Sequence, residues 1–209
     1  MRYYPAHLDL QQRPVLVVGG GAIAEGKIEQ LLTAGARVHV VSPTLTARLH
    51  VLAANGAVTW RTGEFVECDL DGIWLVISAT DMQAVNESVA QAAAARGVLC
   101  NVVDQPALCN FITPALVTRG ALQISISTAG GSPSVAQLVK RRIAEMIGEE
   151  YGALLELAAR MRAALKARGV GYAERRDLLN AFVESEALAL LRAGRREEAE
   201  AIAKQIETA

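Results

Sequence analysis

Three observations predict an α/β fold whose first half is a Rossmann-type doubly wound parallel sheet. Short apolar runs alternate with stretches of helical period, a glycine cluster closes the first run, and the alternation changes character near residue 113. A short segment of different pattern then precedes a C-terminal helical domain. The predicted division is 1–113, 114–148 and 149–209.

The elements follow in order. Val15–Gly19 is an apolar run of the kind a strand buried on both faces requires. Glycines 19 to 21 lead into a helix reaching Ala34, with Ile23, Ile28, Leu31 and Leu32 on its expected inner face. Gly35 ends that helix and Arg37–Val41 forms a second strand, completing a βαβ unit. The pattern predicts a helix near Thr44–Ala54 and strands near Val58–Arg61 and Ile73–Ala79. A helix at Gln83–Arg96 and a strand at Val98–Val103 complete this half. Beyond it, Leu122, Ile124 and Ile126 alternate with Gln123, Ser125 and Ser127, so Ala121–Thr128 reads as a strand with one wet face. After Ala129-Gly130-Gly131-Ser132-Pro133, helices are predicted over Ser134–Ile147, Glu150–Ala167, Ala173–Leu191 and Arg195–Glu207. The breaks fall at Gly148, Gly169 to Gly171, and Gly194.

Composition bounds the function. The 209 residues are 52% hydrophobic, enough for a sizeable core, and the net charge of −1 argues against a dedicated nucleic-acid binder. Cys68, Cys100 and Cys109 have no C-x-x-C spacing, which predicts neither a disulfide framework nor a zinc site and fits a reducing cytoplasm. Met1 to Gln12 lacks an apolar signal core, and no run of about 18 apolar residues is present, so neither export nor a membrane span is expected. The histidines are scattered and build no metal site.

Gly19-x-Gly21-x-x-Ala24 sits between a predicted strand and a helix, where a dinucleotide fingerprint belongs. Gly19 permits the tight turn, Gly21 lets a pyrophosphate approach the backbone, and Ala24 allows close helix–strand packing. Free N–H groups near Ala22 and Ile23 would bind the diphosphate. The second strand ends in Val41-Ser42-Pro43-Thr44 with no acidic residue, so Ser42, Pro43 and Thr44 are left to hold the ribose. No arginine stands there for a 2′-phosphate, which favours NAD over NADP. Thr80 and Asp81, with Asn86, belong to the loop over the cofactor or to a helix cap.

Later segments name a reaction. Gly19 to Lys27, Ala79-Thr80-Asp81 with Asn86, and Cys100-Asn101-Val102-Val103-Asp104 resemble the precorrin-2 dehydrogenase/sirohydrochlorin ferrochelatase family. Phe111 to Ala115 and Ser127 to Pro133 extend the likeness, which covers about residues 1–145. It is a likeness to the N-terminal part of siroheme synthase, without the methyltransferase part. The resemblance implies NAD-dependent oxidation of the tetrapyrrole precorrin-2 to sirohydrochlorin, alone or followed by Fe²⁺ insertion. It implies Asp104 as the catalytic carboxylate, and a homodimer whose contact is made after about residue 114, so that 114–148 is a small dimerisation segment. A family serine that is phosphorylated in some relatives corresponds to Thr128 here, and that departure leaves the modification open.

Asp104 closes a predicted parallel strand, the end at which open α/β sheets hold ligands, and could take a proton or orient a pyrrole nitrogen; the bland alternative is a turn before Pro106. A carboxylate-rich substrate calls for hydroxyls, N–H groups and cations. Ser127, Thr128, Gly130 and Ser132 are the candidates for this, with Arg119 and Lys140-Arg141-Arg142 nearby in sequence. Two other functions use the same scaffold. An NAD(H)-sensing regulatory module would bind without turnover. An unrelated reductase would carry a donor pair such as Tyr-x-x-x-Lys, which this chain lacks.

Overall fold

The computed structural model describes residues 3–208, so the first two residues of the N-terminal segment and Ala209 lie outside it. The chain divides into two compact units, one ending at Thr113 and the other starting at Pro114.

The first unit holds five strands: β1 (Pro14–Val18), β2 (Arg37–Ser42), β3 (Val58–Thr62), β4 (Leu75–Ser78) and β5 (Leu99–Val102). All pair in parallel, in the order β3-β2-β1-β4-β5. Helices α1 (Ala22–Thr33), α2 (Ala47–Ala54) and α3 (Gln83–Arg96) connect them. The chain winds outward from β1 to β3 and then returns to β4 on the other side of β1. The C-terminal ends of β1 and β4 therefore form the switch point, where such sheets leave a crevice.

Both sheet faces are covered, which is why the central strands β1 and β4 read as apolar runs. Val15 and Val17 of β1 face a core with Val38, Val40, Ile28, Leu31 and Leu49. Leu16 and Val18 face a second core with Val41, Val76, Val89, Ala93 and Cys100. On α1 the buried stripe is Ala24, Ile28 and Leu31, with Leu32 at its edge. Ile23 departs from the expected inner face: it is 57% exposed, because its position is more than a quarter turn off that stripe. Trp60 and Trp74 pack against the first core, and Trp60 Nε1 donates to the Ser42 carbonyl at 3.0 Å.

The second unit begins with a hairpin, β6 (Ala115–Arg119) and β7 (Leu122–Ile126), paired antiparallel. The pattern of 121–128 identified β7, but β6 went unread, since Ala-Leu-Val-Thr-Arg lacks a period-2 alternation. Gly120, with φ +55°, supplies the tight turn between them. Helices α4 (Pro133–Met146), α5 (Glu150–Ala167), α6 (Tyr172–Val183), α7 (Ala187–Arg192) and α8 (Arg196–Thr208) follow. The single helix expected over Ala173–Leu191 is two. Ser185 Oγ donates to the Phe182 carbonyl at 2.7 Å and accepts from Ala187 N–H at 3.2 Å, so a side chain takes over backbone partners and the helix breaks. Leu157, Met161, Leu165, Phe182, Leu190, Ala199 and Ala203 form the helical core. No helix among the described residues is long and apolar enough to cross a membrane.

Candidate functional site

The glycine turn lies at the switch point, and its three glycines do different things. Gly19 has φ +121°, and a Cβ there would lie 2.4 Å from the Ala79 carbonyl oxygen at the end of β4. Gly20, left as an unspecified position by the spacing, is equally constrained. A Cβ on it would fall 2.0 Å from the Thr44 carbonyl oxygen and 2.8 Å from Ser42 Oγ. Gly21 is the opposite case: an added Cβ would meet nothing within 4 Å. It caps α1 with its backbone in the extended region and without a side-chain cap, leaving the first helical N–H groups, including those of Ala22 and Ile23, facing open space. Ala24, wholly buried, lets α1 approach the sheet.

The β2–α2 loop is fastened to this turn. Thr46 N–H donates to the Gly20 carbonyl at 3.0 Å, Thr46 Oγ1 donates to the Glu25 carboxylate, and Thr46 Oγ1 caps α2 by accepting from Leu49 N–H. Ser42 is buried, with its hydroxyl directed toward Gly20, whereas Pro43 and Thr44 are exposed. Two arginines flank this loop: Arg48, in the helix that follows, pairs with Glu29 at 3.3 Å, and Arg61, opposite Val41 on β3, pairs with Asp69.

The neighbouring β4–α3 loop carries Thr80 and Asp81. Asn86, only 2% exposed, accepts from Ser78 Oγ at 2.7 Å and donates to the Thr80 carbonyl at 3.1 Å. It lies inside α3 and tethers the loop, so the helix-cap alternative does not apply to it. Thr80 Oγ1 accepts from Met82 N–H, and Asp81 is exposed.

Asp104 follows β5 with φ +58°, a left-handed conformation uncommon for a residue with a side chain. Its carboxylate is exposed and, among the described residues, accepts no hydrogen bond and joins no ion pair within 4 Å. The chain around it is stapled to β5. Asn110 Oδ1 accepts from Cys100 N–H at 2.7 Å, its Nδ2 donates to the Val98 carbonyl, and Asn101 Nδ2 donates to the Phe111 carbonyl. Cys109 Sγ donates toward the Val102 and Gln105 carbonyls. Burial pushes the neighbouring Cys100 thiol up to about 11, so it stays neutral.

Lys27 is a further functional group beside this site. It lies on the buried stripe of α1, three residues after Ala24 and four before Leu31, and is half-buried. Nζ donates to Thr113 Oγ1 at 3.2 Å. Burial lowers its pKa, and the Asp104 carboxylate partly opposes that shift. The signal was available: a lysine where the helical period calls for an apolar side chain.

In the second unit, Ser127, Thr128, Gly130 and Ser132 lie in one turn ahead of α4. Thr128 Oγ1 donates to the Ser132 carbonyl and accepts from Ser132 N–H, both at 3.2 Å, so this hydroxyl is committed to the turn. Ser132 Oγ caps α4 through Val135 N–H, and Ser127 Oγ accepts from Ala129 N–H. Ala129 and Gly130 have φ +54° and +84°. Arg119 is also committed: it donates to the Ile147, Ala144 and Thr118 carbonyls and closes the C-terminal end of α4. Among the described residues, no group of three or more His, Cys, Asp or Glu is arranged to hold a metal ion.

Comparison with known proteins agrees with this geometry. Residues 6–115 match an NAD(P)-binding family, residues 119–146 the central region of sirohaem biosynthesis proteins, and residues 150–206 the sirohaem synthase dimerisation region. The chain is 42% identical over 200 residues to a siroheme synthase of Xylella fastidiosa (strain M12), covering 95% of this chain and 42% of that protein. It is 39% identical over 188 residues to siroheme synthase 1 of Aeromonas salmonicida (strain A449), covering 90% and 40%. The chain thus spans well under half the length of these relatives. Among solved structures it superposes on SirC, precorrin-2 dehydrogenase, with a TM-score of 0.84 and 29% identity, covering 99% of this chain and 100% of that one.

Proposed function

The chain belongs to the precorrin-2 dehydrogenase family that forms the N-terminal part of siroheme synthases, and we propose that it oxidises precorrin-2 to sirohydrochlorin with NAD⁺. One observation carries this reading furthest. The open glycine turn after β1 and the unpaired, left-handed Asp104 after β5 lie at the same, C-terminal edge of one parallel sheet.

The residues fit a dinucleotide. Gly19 and Gly20 fold the turn tightly against Ala79 and Thr44, and Gly21 leaves space on the outer side of the helix start. Backbone N–H groups of Ala22 and Ile23 would hold the diphosphate, and the Ser42–Thr44 loop would hold the ribose. No arginine lies within the Ser42–Thr44 loop, and Arg48 and Arg61 face the carboxylates of Glu29 and Asp69, which supports NAD over NADP. Thr80 and Asp81, tethered through Asn86, would line the nicotinamide side. When bound, NAD⁺ supplies the hydride acceptor.

The macrocycle loses a hydride and a proton. Asp104 would take the proton at its carboxylate or orient a pyrrole N–H. With no hydrogen-bond or ion-pair partner among the described residues, its oxygens are available to substrate. Within the second unit, the Ser127–Ser132 turn offers donors suited to carboxylates: the Ser127 and Ser132 hydroxyls, each of which accepts one backbone N–H bond, and backbone N–H groups, with the Thr128 hydroxyl committed to the turn. Fe²⁺ would be a second substrate, passing the same carboxylate. The match of residues 150–206 to a dimerisation region supports a homodimer.

An anaerobic assay with precorrin-2 and NAD⁺ tests the reading, with Fe²⁺ added after oxidation is complete. NADH release with sirohydrochlorin formation is expected, and enzyme-accelerated siroheme formation would add the chelatase step. Tight NAD⁺ binding without turnover would replace the enzyme with a sensing module.

A further inference from the structure

We propose, resting on the reading above, that Lys27 is a substrate-binding residue whose ammonium receives one carboxylate arm of the tetrapyrrole beside Asp104. Among the described residues of the first unit, the other cations are exposed or matched. Arg48 faces Glu29, Arg61 faces Asp69, Arg96 faces Glu67, Arg13 lies over Trp74 and Arg37 donates to the Gln12 carbonyl. Lys27 is half-buried on an otherwise apolar stripe and has one hydrogen-bond acceptor among the described residues, the neutral Thr113 hydroxyl.

Asp104 is close enough for its charge to be felt at Lys27, yet the two do not come within 4 Å as an ion pair. Burying an ammonium without an anion costs free energy, and that cost appears as the lowered pKa of Lys27. With the single bond to Thr113, two of its three N–H donors lack an acceptor among the described residues, at the edge of the sheet where the substrate is expected. A planar hydroxyl or amide would satisfy only the hydrogen bonds. A carboxylate satisfies both the donors and the charge, and a tetrapyrrole with acetate and propionate arms presents carboxylates around its rim.

The dinucleotide is a poorer match for this ammonium. Its diphosphate belongs at Ala22 and Ile23, whereas Lys27 lies five residues further along α1, about 7.5 Å down the helix axis. Thr113, to which the ammonium is tied, immediately follows the segment stapled to β5. Lys27 and Asp104 then divide the work: the cation fixes an arm, and the carboxylate meets the ring nitrogens.

The test is a comparison of KM and kcat. Lys27→Met keeps the buried stem and removes the charge. It should raise KM for precorrin-2 about tenfold or more, leave the Kd for NAD⁺ within twofold, and flatten the rise of KM with added NaCl. Lys27→Arg should restore KM to within about threefold of the parent. An unchanged KM, or an equal loss of NAD⁺ affinity, overturns the assignment. The same substitutions are read by equilibrium titration with sirohydrochlorin, followed by absorbance, which needs no turnover. A parent chain that binds the tetrapyrrole through Lys27 but does not oxidise it sinks the proposed activity alone. A parent that turns over while Lys27→Met matches it in both assays sinks the Lys27 assignment alone.

Discussion

Gly21→Ala and Gly20→Ala separate a cradle for a ligand from a glycine required by the fold. At Gly21 the backbone is extended, at φ −84° and ψ −176°, and the new methyl meets nothing within 4 Å. The loss of a good N-cap residue and the gain from a stiffer unfolded chain are each below about 1 kcal/mol and oppose each other. The ligand-free Tm should therefore stay within about 3 °C of the parent. At Gly20 the methyl would lie 2.0 Å from the Thr44 oxygen, deep inside contact, and the β2–α2 loop must move. Overpacking of that kind costs about 2–3 kcal/mol, a fall in Tm of several degrees or more.

Cofactor affinity should reverse the ranking for Gly21. A methyl in the path of the diphosphate displaces it from one charge-assisted N–H bond worth about 1.5–3 kcal/mol, a loss of about 10- to 150-fold in Kd. Differential scanning calorimetry without cofactor and isothermal titration with NAD⁺ read the two effects separately. A Gly21→Ala variant that binds NAD⁺ within threefold of the parent refutes the cradle. One that melts as early as Gly20→Ala refutes the open space beside Gly21.

Asp104→Asn, which tolerates the left-handed backbone, should cut turnover by about 100-fold or more while NAD⁺ affinity holds; full turnover would remove the carboxylate from the chemistry. Asn86→Ala strands the Ser78 hydroxyl and the Thr80 carbonyl, so a loss of about 2 kcal/mol is expected in urea unfolding, with weaker NAD⁺ binding from a loosened loop. Cys100 gives a pH signature. Its folded-state pKa, about 11, lies above the ordinary 9.0, so its stabilising contribution is intact below pH 9 and is lost as pH rises toward 11. The loss amounts to about 3 kcal/mol, and Cys100→Ala should show a shallower alkaline fall in stability than the parent. Coincident slopes would clear the thiol.

Local pattern determined much of this protein. Strands buried on both faces have no polar alternation to obscure them, so β1, β2 and β4 stand out as apolar runs, and glycine punctuation marks most helix ends. Gly19, Gly21 and Ala24 were legible because a strand–turn–helix spacing is a property of the local chain. Hairpin strand β6 escaped because its pattern is weak and its partner decides it; the break between α6 and α7 escaped because a serine competed with the backbone. Only the tertiary structure decided what depends on distant neighbours. Gly20 is indispensable because the β2–α2 loop passes over it, which no spacing reveals. Arg119 and Thr128 are spent on their own unit, and Arg61 on Asp69. Lys27 and Asp104, 77 positions apart in sequence, come together because α1 and the end of β5 share one edge of the sheet. Sequence periodicity specifies which face of an element is buried; the partner that face meets is set by chain crossings, and the chemistry of the site follows from those.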